Sequence, residues 1–453
     1  MKKLLIYFLS FFIILSGCDS LELEETDPNN FKDATPDLLI KAPMLAQTLV
    51  IEGELARLAG IFSNQFTGSD RQYVSYNSYN IVSGDFDNIW GNVYADGVAQ
   101  CRIIREKAVE INNDELEGIA MIIEANILGV AAALWGDVPN TEACDDVEFP
   151  QPSFDGQLTV YNAAIQLLNT AITKVGGAGG NSYGSDVIDA SVRDNMLWTD
   201  VAYSIQARLY LHIGDYTNAI ASANLGIADG DSDWLINHDD SDNWTDGIMN
   251  IYWNFMQWNR YGYLGADDAY LPQLLINNTD PRYDYYYYSG DPYDITPFAW
   301  YGGIFQNDHS FPVITYYETQ LIIAESEMVD GTPDPAAALV ALNNVRAYWD
   351  ARLDDMWGDD DYFLPYLATD FATNADLLEA ILTEKYISCY GQLESWNDMR
   401  RTDNYIGIPL KTGTTDYPRR FPIPQNEIDA NVNASVIDIY VETPVNAGAY
   451  PGL

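Results

Sequence analysis

The sequence predicts a mostly α-helical scaffold of paired helices that carries an irregular, loop-rich lobe. Apolar residues recur at helical spacing over long segments, of which 116–134 is the clearest, and Gly136 and Pro139 end that segment. Small and aromatic residues over 203–220 follow a pattern typical of stacked helix pairs. The stretch 229–312 differs, because it is rich in Asp, Asn, Trp, Tyr, Gly and Pro and shows little periodicity. A long stretch of this kind inside a compact domain is usually functional.

The N-terminus has the pattern of a secreted lipoprotein. Two lysines precede an apolar run over 4–15, which is shorter than the roughly 20 residues that a membrane-spanning helix needs. Leu15-Ser16-Gly17-Cys18 resembles the bacterial lipoprotein box, in which the cysteine is lipidated and becomes the first residue of the mature chain. Several acyl chains provide a lasting membrane anchor. We therefore predict a signal peptide over 1–17 and lipidation of Cys18, with an ordinary signal peptide and an unmodified cysteine as the alternative.

The rest of the chain is predicted to form one domain. Residues 18–36 are acidic and contain Asp27-Pro28-Asn29-Asn30, which is typical of a flexible tether. Residues 37–453 follow as a single domain, with the irregular lobe at about 229–312. Outside this lobe, helical spacing predicts helices over 37–62, 86–111, 116–134, 160–175, 317–325, 336–346 and 376–400.

The clearest repeat lies in the middle of the chain. Its residues fall on the tetratricopeptide pattern, which recurs roughly every 34 residues and places small side chains where two paired helices cross. One such pair cannot bury its apolar face alone, so we expect it to stack against further helices. The residues that match are Tyr203, Ala207, Tyr210, Gly214-Asp215-Tyr216, Ala219 and Ile220.

The charge balance excludes several classes of partner. The chain has 67 acidic and 22 basic residues, and loss of Lys2 and Lys3 with the signal peptide would leave a net charge of −47. Nucleic acid binding requires Lys and Arg to neutralise phosphates, so no nucleic acid partner is expected. Acidic polysaccharides and anionic lipid head groups are disfavoured for the same reason. A neutral ligand is therefore favoured.

The residues that usually carry catalysis or bind metals form no recognisable motif. The three histidines lie outside metal and nucleophile motifs, and the remaining cysteines have no CxxC spacing. Asp229, Asp231 and Asp233 resemble the start of a calcium loop, but Trp234 and Asp240 stand where an EF-hand needs Gly and Glu. We therefore predict no cofactor; a calcium site there is the alternative to a solvated acidic loop.

The aromatic content, 13% of the residues with 32 Tyr and 11 Trp, favours carbohydrate binding. A flat ring can pack on the C–H face of a sugar, while carboxylates, amides and guanidinium groups bind its hydroxyls. Local packing is the alternative for Trp300 and Tyr301, and core packing is the alternative for Trp258. For Trp90, Trp135, Trp198 and Trp396 core packing is the prediction. The residues predicted to bind a glycan are Asp70, Arg71, Gln72, Tyr73, Tyr76 and Tyr79 in one polar loop, Trp258, the adjacent Trp300 and Tyr301, and Trp357.

A set of short motifs in a fixed order resembles the SusD/RagB family of nutrient-binding outer-membrane lipoproteins. The last of these motifs, Phe421-Pro422-Ile423-Pro424-Gln425-Asn426-Glu427-Ile428, is the most specific. Earlier in the chain stand Asp27-Pro28-Asn29, Trp135-Gly136-Asp137-Val138-Pro139, Asp155-Gly156-Gln157, Asp280-Pro281-Arg282, Ala324-Glu325, Glu384-Lys385-Tyr386, Gly391-Gln392 and Glu394-Ser395-Trp396-Asn397-Asp398.

The resemblance implies a SusD-like α-α superhelix of tetratricopeptide-like helix pairs with an irregular ligand-binding lobe. It implies a protein that captures oligosaccharides on the outer membrane, performs no chemistry and passes its ligand to a SusC-like TonB-dependent transporter. Our hypothesis is a cell-surface lipoprotein that binds a neutral glycan, with a β-glucan such as laminarin as the suggested ligand. A tetratricopeptide-type lipoprotein that binds peptides or proteins is the first alternative. A glycoside hydrolase is the second, because two positioned carboxylates suffice for that reaction.

Overall fold

Helices make up most of the structure, a computed structural model that describes residues 36–180, 195–238, 249–287, 304–358, 361–448 and 450. The helices are α1 (Pro36–Leu39), α2 (Lys41–Ile51), α3 (Glu54–Phe62), α4 (Gln72–Tyr76), α5 (Asp87–Gly91), α6 (Ala99–Glu110), α7 (Asp114–Trp135), α8 (Gln157–Val175), α9 (Trp198–His212), α10 (Tyr216–Ala223), α11 (Ile251–Asn254), α12 (Tyr270–Asn278), α13 (Arg282–Tyr286), α14 (Tyr316–Val329), α15 (Pro335–Trp357), α16 (Asn374–Ser388), α17 (Glu394–Arg401) and α18 (Gln425–Ala430). The strands are β1 (Thr67–Gly68), β2 (Trp234–Ile236), β3 (Leu264–Gly265) and β4 (Phe311–Ile314). The π-helical turns Asn92–Val98 and Phe255–Asn259 continue α5 and α11, and short 3₁₀ turns lie at Ser83–Phe86, Gly230–Ser232 and Ala368–Asp370.

Helix α7 lies at the centre of the scaffold. The Asn113 side chain caps it by accepting the backbone N–H of Leu116 at 3.1 Å, and the acidic residues of the first turn complement the helix dipole. Gly136, with a φ of 88°, ends it. Among the described residues, α7 is the one helix that is long and apolar enough to cross a membrane. Its apolar window is entirely buried in the protein, as expected for a core helix.

The helices pack in pairs, as the sequence predicts. α7 packs against α8, α9 against α10 and α14 against α15, while α10 and α16 also contact α14. Small residues permit these contacts: a Cβ at Gly129 of α7 would lie 2.6 Å from Leu209 of α9. The repeat over 203–220 corresponds to α9 and α10, and Asp215 caps α10 by accepting the N–H of Asn218 at 3.2 Å. The predicted fold class is confirmed.

A buried aromatic cluster joins the two ends of the domain. The Phe421 ring lies 4.7 Å from Trp396 and 5.8 Å from Trp135, and Phe62 of α3 lies 5.3 Å from Trp396. Trp90 packs 5.4 Å from Trp135. The four tryptophans predicted for the core, Trp90, Trp135, Trp198 and Trp396, are all buried, so that prediction is confirmed.

The predicted continuous helix over 376–400 is wrong. α16 ends at Ser388 and α17 begins at Glu394, and Gly391 between them has a φ of 72°. Gly391 lies against an aromatic ring, since a Cβ at this position would be 2.8 Å from Phe305. Its N–H donates to Gln65 and its carbonyl accepts from the Tyr252 hydroxyl. These contacts bind the turn to the lobe and prevent the helix from continuing.

We expect Gly391→Ala to lower the free energy of unfolding by about 2–4 kcal/mol. A positive φ costs an alanine about 1 kcal/mol, and crowding against Phe305 adds about 1–3 kcal/mol. Gly407→Ala is the matched control, because Gly407 has a φ of 67° but open space around its Cβ position. Urea denaturation should therefore show a clearly smaller loss for Gly407→Ala. Equal losses in the two variants would mean that the contact with Phe305 is unimportant.

The irregular lobe has short elements of its own, as predicted. Two antiparallel strand pairs organise it: β2 pairs with β4, and β1 pairs with β3. The second pair brings the chain just after α3 against the segment that follows α11. It therefore determines which side chains share a surface of the lobe.

Candidate functional site

A turn on the outer side of the lobe begins where β1 ends. Gly68 is required there because a Cβ would lie 2.0 Å from the carbonyl oxygen of Tyr73. Asp70, Arg71 and Gln72 follow and are all exposed. Arg71 Nε lies 3.8 Å from Asp70 Oδ2 with both side chains more than half exposed, so this ion pair adds little stability. The three polar groups therefore remain accessible to a ligand.

Arg71 has an unusual backbone conformation, with a φ of 47° and a ψ of −125°. The Asp70 carboxylate supports it by accepting the N–H of Arg71 at 2.9 Å. Such strain costs a non-glycine residue about 1–3 kcal/mol and occurs most often at functional sites. The conformation therefore supports a functional role for this turn.

The three tyrosines of the predicted loop are buried, so the prediction that they bind ligand from an exposed loop is wrong. Tyr73 and Tyr76 lie on the short helix α4, and their side chains and that of Tyr79 point into the protein. The Tyr79 hydroxyl accepts the backbone N–H of Lys411 at 3.1 Å. The sequence does not distinguish a tyrosine buried beneath a surface from one exposed on it, because the tyrosine ring is apolar and its hydroxyl is polar.

Tyr73 anchors the turn to α3. Its hydroxyl donates to Glu54 Oε2 at 2.7 Å and accepts from Arg57 Nε at 2.9 Å. Burial raises the pKa of Tyr73 well above its ordinary value, so the phenol stays protonated and can donate to Glu54. The Arg57 guanidinium also lies 4.1 Å from the centre of the Phe255 ring. These contacts connect the polar turn to the π-helical turn Phe255–Asn259.

The strand pair β1–β3 brings a second exposed group beside the polar turn. Gly68 pairs with Leu264, and the N–H of Ser69 donates to the carbonyl of Tyr263 at 2.8 Å. The Tyr73 ring contacts Tyr263 at 5.9 Å and Phe255 at 5.1 Å. Phe255 and Tyr263 therefore lie against the turn, and residues 256–262 connect them.

This segment presents large rings to solvent. Trp258 is 52% exposed and Tyr261 is 70% exposed. These are the two largest exposed fractions among the described aromatic residues. Trp253 lies 6.0 Å from Trp258, and the Arg260 guanidinium lies 5.8 Å from the Tyr263 ring. Trp258 lies in the π-helical turn, a local irregularity that is frequent at functional sites. We define the aromatic face as Asp70, Arg71, Gln72, Trp253, Trp258, Arg260, Tyr261 and Tyr263.

The predicted residues are only partly brought together. Asp70, Arg71, Gln72 and Trp258 share the aromatic face. Trp357 is 42% exposed but lies at the end of α15, and no described contact joins it to this face. Trp300 and Tyr301 lie outside the described residues. Sequence reasoning missed Arg260 and Tyr261, although the run Trp258-Asn259-Arg260-Tyr261-Gly262 combines aromatic, amide and guanidinium groups before a turn glycine.

The described acidic residues near β2 serve the fold. Within the described parts of the chain, no group of three or more His, Cys, Asp and Glu side chains is placed to hold a metal ion. Asp229 Oδ1 accepts from the Ser232 hydroxyl at 2.9 Å, and Asp233 Oδ1 accepts the N–H of Tyr316 at 2.6 Å. These two carboxylates thus stabilise the turn before β2 and the start of α14.

The scaffold is a superhelix of paired helices that carries an irregular lobe. Solved structures of SusD-type proteins have the same fold. A SusD/RagB protein from Bacteroides thetaiotaomicron is 18% identical, with a TM-score of 0.65 over 88% of this chain and 94% of that chain. A SusD homologue from Bacteroides fragilis is 17% identical, with a TM-score of 0.68 over 91% and 99%. A protein described as chitin-binding is 19% identical, with a TM-score of 0.61 over 88% and 94%. No protein with a curated description matches the sequence.

The sequence profile of the SusD-like family, described as starch-binding and associating with the outer membrane, matches residues 28–424. The chain therefore belongs to the SusD-like family. The recognition based on short motifs is thus confirmed. Members of this family are carbohydrate-binding proteins associated with the outer membrane rather than enzymes.

Proposed function

We propose that this protein is a cell-surface lipoprotein that binds neutral oligosaccharides on the aromatic face. The observation that carries the proposal is that the strand pair β1–β3 joins the segment with the exposed Trp258 and Tyr261 rings to the turn with the exposed Asp70, Arg71 and Gln72. Rings supply apolar contact to sugar C–H faces, and the polar groups orient the hydroxyls. Membership of the SusD-like family independently supports carbohydrate binding.

The open shape of the face suits an extended chain. Trp258, Tyr261 and the polar groups of the turn are exposed, so several sugar units can bind in succession. The acidic composition favours neutral over anionic chains. A β-glucan such as laminarin remains the suggested ligand. The proposed path is capture on this face followed by delivery to a SusC-like TonB-dependent transporter, with Cys18 as the lipid anchor.

Isothermal titration calorimetry tests the proposal with a panel of polysaccharides. Neutral chains, namely laminarin, starch and a soluble chitin oligosaccharide, are compared with alginate and a sulfated galactan. We expect binding of at least one neutral chain and none of the anionic ones. Binding of a peptide or protein without any glycan would contradict the proposal, and release of reducing ends by the purified protein would favour the hydrolase alternative. Protease shaving of intact cells tests surface exposure.

A further inference from the structure

A cavity of about 310 Å³ lies apart from the aromatic face, between α13, β4 and α15. None of the eight residues of the aromatic face is among the described residues that line it. Its walls are largely aromatic. The Trp349 ring lies 5.8 Å from Tyr317 and 6.1 Å from Tyr286, which in turn lies 4.7 Å from Tyr390. Because these rings support one another, the cavity has a preformed wall.

Polar groups enter the cavity beside these rings. His309 Nδ1 lies 2.9 Å from the carbonyl oxygen of Ser310, which can only accept, so Nδ1 carries the proton. Burial lowers the pKa of His309 to about 4, and the neighbouring Arg352 adds to this effect. The ring is therefore neutral near pH 7, and its Nε2 accepts from the Tyr285 hydroxyl at 3.2 Å.

Arg352 supplies donors at the opening. Its Nη2 donates to the Tyr285 hydroxyl at 3.5 Å. A guanidinium group has five N–H donors in total. Among the other lining residues, Gln392 Nε2 donates to the Tyr317 hydroxyl at 2.8 Å. The cavity thus combines aromatic rings with neutral and charged hydrogen-bonding groups. Such an arrangement suits a polyhydroxylated ring.

Carboxylates dominate the charge of the lining. Asp229, Asp231 and Asp355 are exposed, Asp233 is buried, and Arg352 is the cation among the described lining residues. An anionic ligand would be repelled by several carboxylates and attracted by one guanidinium. At separations of a few ångströms each such charge contributes about 1 kcal/mol in a water-like medium. Anionic ligands are therefore disfavoured.

The volume limits the size of the ligand. It lies at the lower end of the roughly 300–1,000 Å³ of small-molecule pockets. It is about twice the roughly 150 Å³ of a cavity that holds one benzene ring. The space therefore suits one sugar ring with its hydroxyls.

We propose that this cavity is a second carbohydrate site, which holds a single neutral or amino sugar ring and excludes uronic acids. The proposal rests on the proposed function for the ligand class, but it concerns a different site. The ring can be a free monosaccharide or the end unit of a chain. The aromatic face, in contrast, contacts several units of one chain.

Saturation-transfer NMR on the full-length protein tests the proposal with glucose, N-acetylglucosamine, glucosamine and glucuronate. Ala351→Trp fills the cavity opening, since Ala351 is exposed and lines it. Ala347→Trp is the matched control: Ala347 is exposed on the same helix but is not among the lining residues. We expect signals from at least one neutral or amino sugar and none from glucuronate. Ala351→Trp should weaken this binding about tenfold or more, while Ala347→Trp and Trp258→Ala should leave it unchanged.

Three results would overturn the cavity site: no signal from any monosaccharide, unchanged binding in Ala351→Trp, or binding of glucuronate as strong as that of glucose. Thermal unfolding of both tryptophan variants checks that each is folded. The two proposals fail separately. Polysaccharide binding that is lost in Trp258→Ala but retained in Ala351→Trp supports the aromatic face whether or not the cavity binds a monosaccharide.

Discussion

Replacement of Trp258 by alanine is expected to weaken oligosaccharide binding about tenfold or more, with the same result for Tyr261→Ala. Both rings are exposed, so their loss removes contact area from the ligand without leaving a hole in the core. A central aromatic contact is worth about 1–2 kcal/mol or more to binding, and about 1.4 kcal/mol corresponds to tenfold in affinity. Calorimetry with the best glycan of the panel measures the effect.

Tyr440→Ala is the matched control for Tyr261→Ala, because Tyr440 is 42% exposed and lies near the C-terminus, outside the aromatic face. Its affinity should equal that of the unmodified protein. Trp357→Ala tests the predicted ring at the end of α15 in the same way. Unchanged affinity in both Trp258→Ala and Tyr261→Ala would show that the ligand binds elsewhere.

Tyr73→Ala is expected to affect stability as well as binding, because Tyr73 is buried. The Tyr73 hydroxyl connects Glu54 and Arg57, and its ring packs on Phe255 and Tyr263. Its removal would leave a cavity and would take one hydrogen-bond partner each from the buried Arg57 and the partly exposed Glu54, which keep their contact with each other. A loss of binding in this variant would therefore accompany a loss of stability and would not identify a contact with sugar.

The second large effect is expected for Arg401→Met, which should lower the free energy of unfolding by about 3–5 kcal/mol. Arg401 is buried, and its guanidinium donates to both carboxylate oxygens of Glu325 at 2.5 Å and to Asp398 Oδ1 at 2.7 Å. Lys385 Nζ lies 3.1 Å from Asp398 and 3.7 Å from Glu325. Methionine is close in size to arginine, so the loss reflects the charge of two buried carboxylates that then share Lys385 as their described cation.

The same cluster predicts how stability depends on acid. Burial by itself would raise the pKa of Glu325, but Arg401 and Lys385 outweigh burial and lower it to about 2 from an ordinary value of 4.5. Because the folded state holds the ionised form, this contribution is complete above about pH 4.5 and is lost as the pH falls towards 2. Urea denaturation at a series of pH values should show a weaker acid dependence in Arg401→Met.

Lys174→Met is the control for this experiment. Lys174 Nζ lies 2.8 Å from Asp114 and 2.7 Å from Glu117, but the Asp114 side chain is largely exposed. The exposed pair with Asp114 contributes about 0–1 kcal/mol, and Lys174 itself is in contact with water, so this variant should lose less stability than Arg401→Met, whose partners are all buried. A loss in Arg401→Met no larger than that in Lys174→Met would mean that the buried cluster does not stabilise the fold.

Much of the helical scaffold could be predicted because burial and periodicity agree there. The segment 116–134 is mostly apolar, with Glu117, Glu124 and Asn126 as its charged or amide residues, and all of its residues are buried in α7. The repeat over 203–220 correctly predicts the helix pair α9 and α10. Its small residues allow two helices to pack closely, and Gly214 allows the turn between them. The helix over 376–400 was predicted too long, since a sequence pattern does not reveal that Gly391 must fit against Phe305 and Gln65.

The candidate site was less predictable. The sequence predicts exposed polar groups at 70–72, and these residues are exposed. It places the neighbouring tyrosines on the same surface, but the hydroxyls of Tyr73 and Tyr79 bond to partners within the protein. The sequence pattern does not single out Arg260 and Tyr261, because their link to the polar turn at 70–72 depends on the pairing of β3 with β1.

The sequence by itself determined the class of fold, the family and the chemistry that the lobe offers to a ligand. These features depend on local periodicity, composition and the order of short motifs, all of which are present before the chain folds. The tertiary structure alone decided which rings meet solvent and which polar groups they accompany. The reason is that the pairing of β1 with β3 joins segments far apart in the chain. Burial of an amphipathic ring is likewise set by such distant partners and not by its neighbours in sequence.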